Sequence, residues 1–159
     1  MKNLFTVIAV LFTAQLFAQT HEIIMHNGEK LDVNFIKIEN NLVFYALANS
    51  SEQHKISRYA VAQLNEKAKS NSKVISEKIN FSEKPDAKKV IVLKESETIG
   101  LKKVEDLISH LNMAKGETRW SASEIGENRL KEKAASKGHQ FILIVSNKIG
   151  NLKAIAYTY

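Results

Sequence analysis

The spacing of apolar and polar residues predicts a small all-β module over residues 20–66. Apolar residues recur at every second position in short runs, which is typical of strands with one buried face. Two turn signals, Asn27-Gly28 and Asn40-Asn41, separate these runs. The alternation changes phase after Phe35, which predicts a bulge or a sharp bend. We therefore expect about four or five short, bent strands that form a small β-barrel-like module of the SH3-like or Sm-like kind.

A change of composition predicts a linker over residues 67–88. Residues 67–73 are polar and rich in lysine, and such segments connect packed elements more often than they form them. Apolar residues then recur at period two from Ile75 to Phe81, so the linker is also compatible with one half-buried strand. Pro85 ends any element before it, because proline restricts the backbone of the preceding residue.

Residues 89–159 predict an α+β module with one main helix. Ser121 and Glu124 form a capping box at the start of this helix, and Gly138 stands where a helix-ending glycine belongs. Residues 141–145 are apolar on both faces, which favours a strand in the middle of a sheet. The helix carries a narrow apolar stripe formed by Ile125, Leu130, Ala134 and Ala135. We expect an antiparallel or mixed sheet that this helix covers.

Residues 104–111 fit two different structures. Apolar residues at positions 104, 107, 108 and 111 have the spacing of one helix face. The apolar residues from Ile99 onward equally favour the start of a strand that continues through Leu107. The pattern alone leaves both interpretations open.

The C-terminal half resembles a family of exported proteins. The segment Arg129-Leu-Lys-Glu-Lys-Ala-Ala-Ser-Lys-Gly138 is followed by an apolar strand and by the closing sequence Ala154-Ile-Ala-Tyr157. This order is similar to that of small βαβ domains in Gram-negative envelopes, namely the YdgH/BhsA/McbA-like stress proteins and the YbjQ-like proteins. Residues 90–103 also resemble the opening strands of exported proteins that pair such a domain with an N-terminal β module.

The resemblance implies strands over residues 104–111 and a role in envelope stress or surface properties rather than catalysis. It supplies no catalytic residues to carry over. The chain departs from the pattern at His139, where a small residue usually follows the helix-ending glycine. YbjQ-like proteins are often labelled metal binders, but no metal-ligand spacing in this sequence supports that label.

Residues 1–19 predict a secretory signal peptide. Lys2 provides the positive start, residues 4–12 are apolar except for Thr6, and Ala18 and Gln19 lie where cleavage is expected. The alternative is a membrane anchor, but the apolar stretch is shorter than the roughly 20 residues of a spanning helix. A lipoprotein signal is excluded because the chain has no cysteine. We expect a periplasmic or secreted protein, and the sequence does not fix the cleavage site.

The charge of the chain is basic but dispersed. Lysine and arginine number 23 against 17 acidic residues, for a net charge of +6. A basic balance is a signature of nucleic-acid binding when the cations cluster on one surface. Here the lysines alternate with glutamates along the chain, and the predicted export removes the protein from cytoplasmic nucleic acid. We therefore expect no nucleic-acid partner.

No pattern in the sequence assembles a catalytic, metal or cofactor site. The histidines lack the short spacings of metal ligands, no serine lies in a Gly-x-Ser-x-Gly elbow, and adjacent Glu105 and Asp106 would point apart on a strand. We expect a non-enzyme with no cofactor. The most arguable binding feature is an interaction patch formed by Arg119, Trp120 and His139. The alternative for Trp120 is a packing role beneath the helix start.

These observations favour a non-enzymatic exported envelope protein, an interaction or stress-response module. Its expected partner is an envelope protein or surface component, and free edge strands would permit homo-oligomers. The alternative is a periplasmic protein that binds a small ligand or a metal in a groove near Trp120 and His110 or His139.

Overall fold

The computed structural model describes residues 21–47, 50–68, 71–81, 86–110, 119–148 and 151–159. Ten strands and one α-helix lie within these ranges, which confirms the predicted α+β class. The chain divides between Ser76 and Glu77 into two compact units, each with its own sheet.

The first unit is one antiparallel sheet of six strands. The strands are β1 (His21–Met25), β2 (Lys30–Glu39), β3 (Leu42–Leu47), β4 (Gln53–Ser57), β5 (Val61–Glu66) and β6 (Asn71–Val74). They are ordered β4-β3-β2-β1-β5-β6, and a 3₁₀ turn at Arg58–Ala60 connects β4 to β5. Among the described residues no ladder joins the two outer strands. The sheet is therefore open, whereas the sequence predicted a barrel-like module.

Local sequence explains the turns and the bend of this sheet. Asn40 and Asn41 have φ angles of +50° and +60°, as a two-residue hairpin turn that matches the twist of the strands requires. The β2–β3 ladder shifts register between Phe35 and Lys37, which leaves Ile36 as the extra residue of a bulge. The sequence prediction of a turn and a phase change at these places is confirmed.

The region predicted as a linker contributes to the first sheet. Strand β6 pairs with β5, and its residues are all exposed. Ile75 follows it, is only 4% exposed, and donates its backbone N–H to the carbonyl of Ala62 at 2.9 Å. The structure has no strand over residues 75–81. The alternation of apolar residues from Ile75 to Phe81 therefore does not correspond to a strand. It begins with a buried side chain, Ile75, that directly follows strand β6.

The second unit is a mixed four-stranded sheet with one helix. Its elements are β7 (Ile91–Leu93), β8 (Lys102–Ser109), α1 (Arg119–Ser136), β9 (Phe141–Lys148) and β10 (Asn151–Thr158). The order is β7-β9-β10-β8, with β7 parallel to β9 and the other ladders antiparallel. Strand β9 lies inside the sheet, as its apolar sequence predicted. Residues 104–109 of the ambiguous segment belong to β8 and are therefore a strand, whereas residue 111 lies outside the described residues.

The apolar stripe of α1 packs on one face of this sheet. Leu130, Ala134 and Ala135 form a buried cluster with side chains of three strands, and Ile125 packs against it. The helix approaches β10 closely at Gly126, where an added Cβ would lie 2.0 Å from Leu152 Cδ1. Small residues on the helix therefore set its distance from the sheet. The strand residues of the cluster are Leu107, Ile142, Leu152, Ala154 and Ala156.

The end of α1 follows the predicted motif, and its start differs slightly. Gly138 has φ +79°, and its N–H and that of His139 bond back to the carbonyls of Ala135 and Ala134 at 3.0 and 2.9 Å. This is the paired bonding of a Schellman motif. The described helix already includes Arg119 and Trp120, so Ser121 is a helical residue and not the residue before the helix.

Candidate functional site

The face of the second sheet opposite α1, called here the outer face, carries exposed apolar side chains. It comprises Ile108, Val145 and Ile155 with the charged residues Lys103, Asp106 and Lys153, which together line most of a shallow cleft of about 220 Å³. The exposed fraction is 45% for Ile108 and 60% for Val145. A sheet face in contact with water is usually polar. Ile108 and Val145 are therefore apolar side chains in contact with water on this face.

Two bulges shape the outer face. Ser146 and Ile144 pair with consecutive residues of β10, so Val145 is the extra residue of a bulge in β9. In β8, Lys103 and Glu105 likewise pair with consecutive residues of β10, so Val104 between them is the extra residue of a second bulge. Val104 is 43% exposed. A bulge re-aims a side chain and breaks the alternation of faces. The exposure of these two valines therefore comes from the bulges.

The β8 bulge also creates an ion pair on the outer face. Lys103 Nζ lies 3.3 Å from Asp106 Oδ1. Residues three apart on a regular strand point to opposite faces, but the extra residue at Val104 brings both side chains to the same face. Both groups are well exposed, with side-chain exposures of 56% and 67%. The pair therefore marks the position of the bulge and adds little to stability.

Glu105 points the other way and joins two cationic groups near the end of α1. Its Oε2 accepts from Lys137 Nζ at 2.5 Å, and its Oε1 lies 2.8 Å from His139 Nε2. These hydrogen bonds, first that of Lys137 and then that of His139, lower the pKa of the Glu105 carboxyl. Glu105 and Asp106 thus point apart, as predicted, and each has its own cation. The partner of His139 lies 34 residues away in sequence, so spacing did not reveal it.

Cationic side chains of α1 cover part of the edge strand β8. Arg129 Nη1 donates to the His110 carbonyl and Lys133 Nζ to the Ile108 carbonyl, both at 3.1 Å. With Lys137, these cations stand four residues apart and so share one helix face. Carbonyls two residues apart point to the same side of a strand. This part of the β8 edge is therefore occupied by side chains, which disfavours sheet extension there.

The predicted patch of Arg119, Trp120 and His139 spans the helix. The first two residues open α1, but their side chains lie outside the described residues. His139 follows the other end, and the 18 residues of α1 correspond to a length of about 27 Å. His139 is therefore brought to Glu105 and not to Trp120. His110 was the other histidine predicted to border a groove. Residues 111–118, which follow it, lie outside the described residues.

His26 and Ser76 in the first unit are as close as the residues of a catalytic dyad, but the hydrogen bond between them runs in the opposite direction. His26 Nε2 lies 2.9 Å from Ser76 Oγ, and this hydroxyl donates to the Val61 carbonyl at 2.7 Å. Because the serine proton is already committed to a carbonyl, the histidine donates to the serine and cannot withdraw its proton. A serine nucleophile needs the reverse arrangement. The pair therefore fastens the segment after β6 to β5.

The described ranges contain no group of three or more histidine, cysteine, aspartate or glutamate residues placed to hold a metal ion. Among the same residues, no helix has both the length and the apolar content needed to cross a membrane. Comparison with models of protein families, with curated proteins and with solved structures finds no match.

Proposed function

We propose that this protein is a non-enzymatic exported envelope protein that acts as an interaction module through the outer face. One observation carries the proposal: Ile108 and Val145 are 45% and 60% exposed on a sheet face where water contact favours polar residues. The charged residues Lys103, Asp106 and Lys153 line the same cleft, and Lys153 lies between Ile108 and Ser146 in the sheet. Export rests on the sequence pattern of residues 1–19.

The partner is an envelope protein or a surface component. The outer face combines branched apolar side chains with one carboxylate and two lysines, so it offers apolar contacts interspersed with charges of both signs. Such a surface suits a protein partner better than a uniformly anionic polymer, because charges of both signs give orientation instead of general attraction. A stress-response role is consistent with the resemblance of the C-terminal half to the YdgH/BhsA/McbA-like stress proteins.

Site-specific crosslinking in the producing cells tests the proposal. A photoreactive residue at Val145 is expected to give a discrete adduct, because this position lies in the contact area. The matched control is the same residue at Val74, a valine on β6 that is also 60% exposed. The substitution Val145→Lys is then expected to remove an adduct formed from position 108, while Val74→Lys leaves it unchanged. Equal adducts from positions 145 and 74, or none from 145, would contradict the use of the outer face.

Cell fractionation tests the export half of the proposal separately. The mature chain is expected in the periplasm or the medium, shorter than the full sequence by about 19 residues. An uncleaved chain retained in the cytoplasm would refute export but would leave the crosslinking result interpretable. A strain that lacks the protein is expected to be more sensitive to envelope stress. Equal growth of this strain and its parent would exclude the stress-response role.

We also propose an SH3-like or Sm-like relationship for the first unit. The order β4-β3-β2-β1-β5, the 3₁₀ turn between β4 and β5 and the bulge in β2 support it. These features bend a small antiparallel sheet toward closure. An experimental structure with the ends of the sheet turned toward each other around a shared core is the expected result. A flat sheet would exclude the relationship.

A further inference from the structure

Four ring side chains cross the first sheet in a row. They are His21 on β1, Phe35 on β2, Tyr45 on β3 and His54 on β4. The ring centroids of His21 and Phe35 are 5.4 Å apart, and those of Tyr45 and His54 are 5.7 Å apart with planes 28° from parallel. Phe35 is directly opposite Tyr45 in the β2–β3 ladder. All four side chains are half-buried, so each presents part of its surface to solvent.

One end of this row borders a cavity of about 190 Å³. His21 and Phe35 line it together with Ile38 and the buried Leu64. Three polar side chains of β5 and β6 complete the lining, namely Glu66, Asn71 and Lys73. Polar and apolar groups therefore share the lining about equally, which suits a ligand that has both an apolar face and hydrogen-bonding groups.

The size of the cavity limits its ligand. Sites for drug-sized ligands and cofactors occupy roughly 300–1,000 Å³, so a cavity of about 190 Å³ admits a molecule with a single ring. The polar groups restrict it further. A carboxylate accepts hydrogen bonds, an ammonium donates them, and an amide does both, so the ligand needs several hydroxyl-like groups. One acidic and one basic side chain give no preference for a charged ligand.

We propose that this cavity binds one neutral sugar ring, such as the terminal residue of a glycan. The C–H face of the sugar lies against Phe35 and His21, and its hydroxyl groups bond to Glu66, Asn71 and Lys73. This site lies in the first unit and is independent of the outer face, which belongs to the second. Its failure would therefore leave the proposed interaction surface untouched, and the reverse also holds.

Saturation-transfer NMR on the full mature chain tests the site. The probes are glucose, galactose and N-acetylglucosamine as neutral sugars, glucuronate and glucosamine as charged sugars, and phenol as an apolar ring. We expect transfer to the neutral sugars with dissociation constants on the order of 1 mM. Transfer to phenol but to no neutral sugar would overturn the proposal, as would stronger binding of either charged sugar.

Two variant pairs assign the binding to this cavity. Phe35→Leu keeps an apolar side chain but removes the ring, and we expect about fivefold weaker sugar binding. Its matched control is Phe44→Leu, a half-buried phenylalanine on β3 whose neighbour Tyr45 belongs to the row. Because adjacent residues point to opposite faces, we expect the Phe44 variant to bind normally. Equal affinities of the two variants would overturn the proposal.

The second pair avoids any loss of folding. Asn71 and Ser72 are both exposed on β6, so alanine at either position should leave the sheet intact. Asn71→Ala is expected to weaken binding about fivefold through the loss of its hydrogen bond, whereas Ser72→Ala is expected to bind normally. The proposal fails if Asn71→Ala binds sugar as tightly as Ser72→Ala.

Discussion

Gly126 determines how closely α1 lies on the second sheet, so Gly126→Ala tests the packing of this unit. An alanine Cβ would lie 2.0 Å from Leu152 Cδ1 and 3.1 Å from Leu152 Cγ. Carbon atoms in contact prefer a separation of about 3.5–4.0 Å. The helix or the leucine must therefore move by about 1.5 Å. Leu152 is only 1% exposed and belongs to the core cluster, so it has little room to move.

Two opposing effects set the expected magnitude. Overpacking a filled core typically costs about 1–3 kcal/mol. Alanine is better than glycine in a helix by about 1 kcal/mol. The expected net effect of Gly126→Ala is a loss of about 1 kcal/mol in the free energy of unfolding. Asn128→Ala is the matched control, because Asn128 is exposed on the same helix and alanine there should stabilise by about 0.5 kcal/mol.

The assay is urea unfolding followed by the fluorescence of Trp120, the single tryptophan of the chain and a residue of α1. A lower midpoint at constant slope reports a loss of stability. The sign should reverse when Leu152 is already alanine: the clash with the Leu152 side chain is then removed, and Gly126→Ala is expected to stabilise by about 1 kcal/mol. A midpoint for Gly126→Ala at or above that of the wild type, or the same loss in both backgrounds, would refute the packing argument.

Three further predictions concern the second unit. The pKa of Glu105 is lowered in the folded protein. The wild type should therefore have a larger free energy of unfolding than Glu105→Gln, and this difference should reach its full size above the ordinary glutamate pKa of about 4.3. The difference should disappear as the pH falls through the lower pKa of the folded state. If the urea midpoints of the wild type and the variant differ by the same amount at every pH from about 7 to about 3, this prediction is contradicted. Lys133→Met uncovers the Ile108 carbonyl at the β8 edge and is expected to increase self-association in sedimentation, whereas Lys131→Met should sediment like the wild type. Gly138→Ala, at φ +79°, should lower the free energy of unfolding by about 1 kcal/mol, and an unchanged urea midpoint would exclude this cost.

The sequence predicted the features that depend on short segments. The Asn40-Asn41 turn, the phase change at Ile36, the end of α1 at Gly138 and the interior strand β9 all follow from residues within a few positions of each other. Turn and cap residues act on their own backbone, and alternation reports which side of one element is buried. These features can therefore be predicted from the residues of a single short segment.

The candidate sites depended on contacts that no short segment contains. His139 meets Glu105 from 34 residues away, the cavity joins β1 and β2 to β5 and β6, and the bulges at Val104 and Val145 appear only when paired strands are counted against each other. The choice between helix and strand for residues 104–109 was likewise decided by pairing, because β8 gains backbone hydrogen bonds from β10. Sequence therefore determined the local elements and their turns. Only the tertiary structure decided which side chains meet, since strand register and helix packing place residues together irrespective of their distance along the chain.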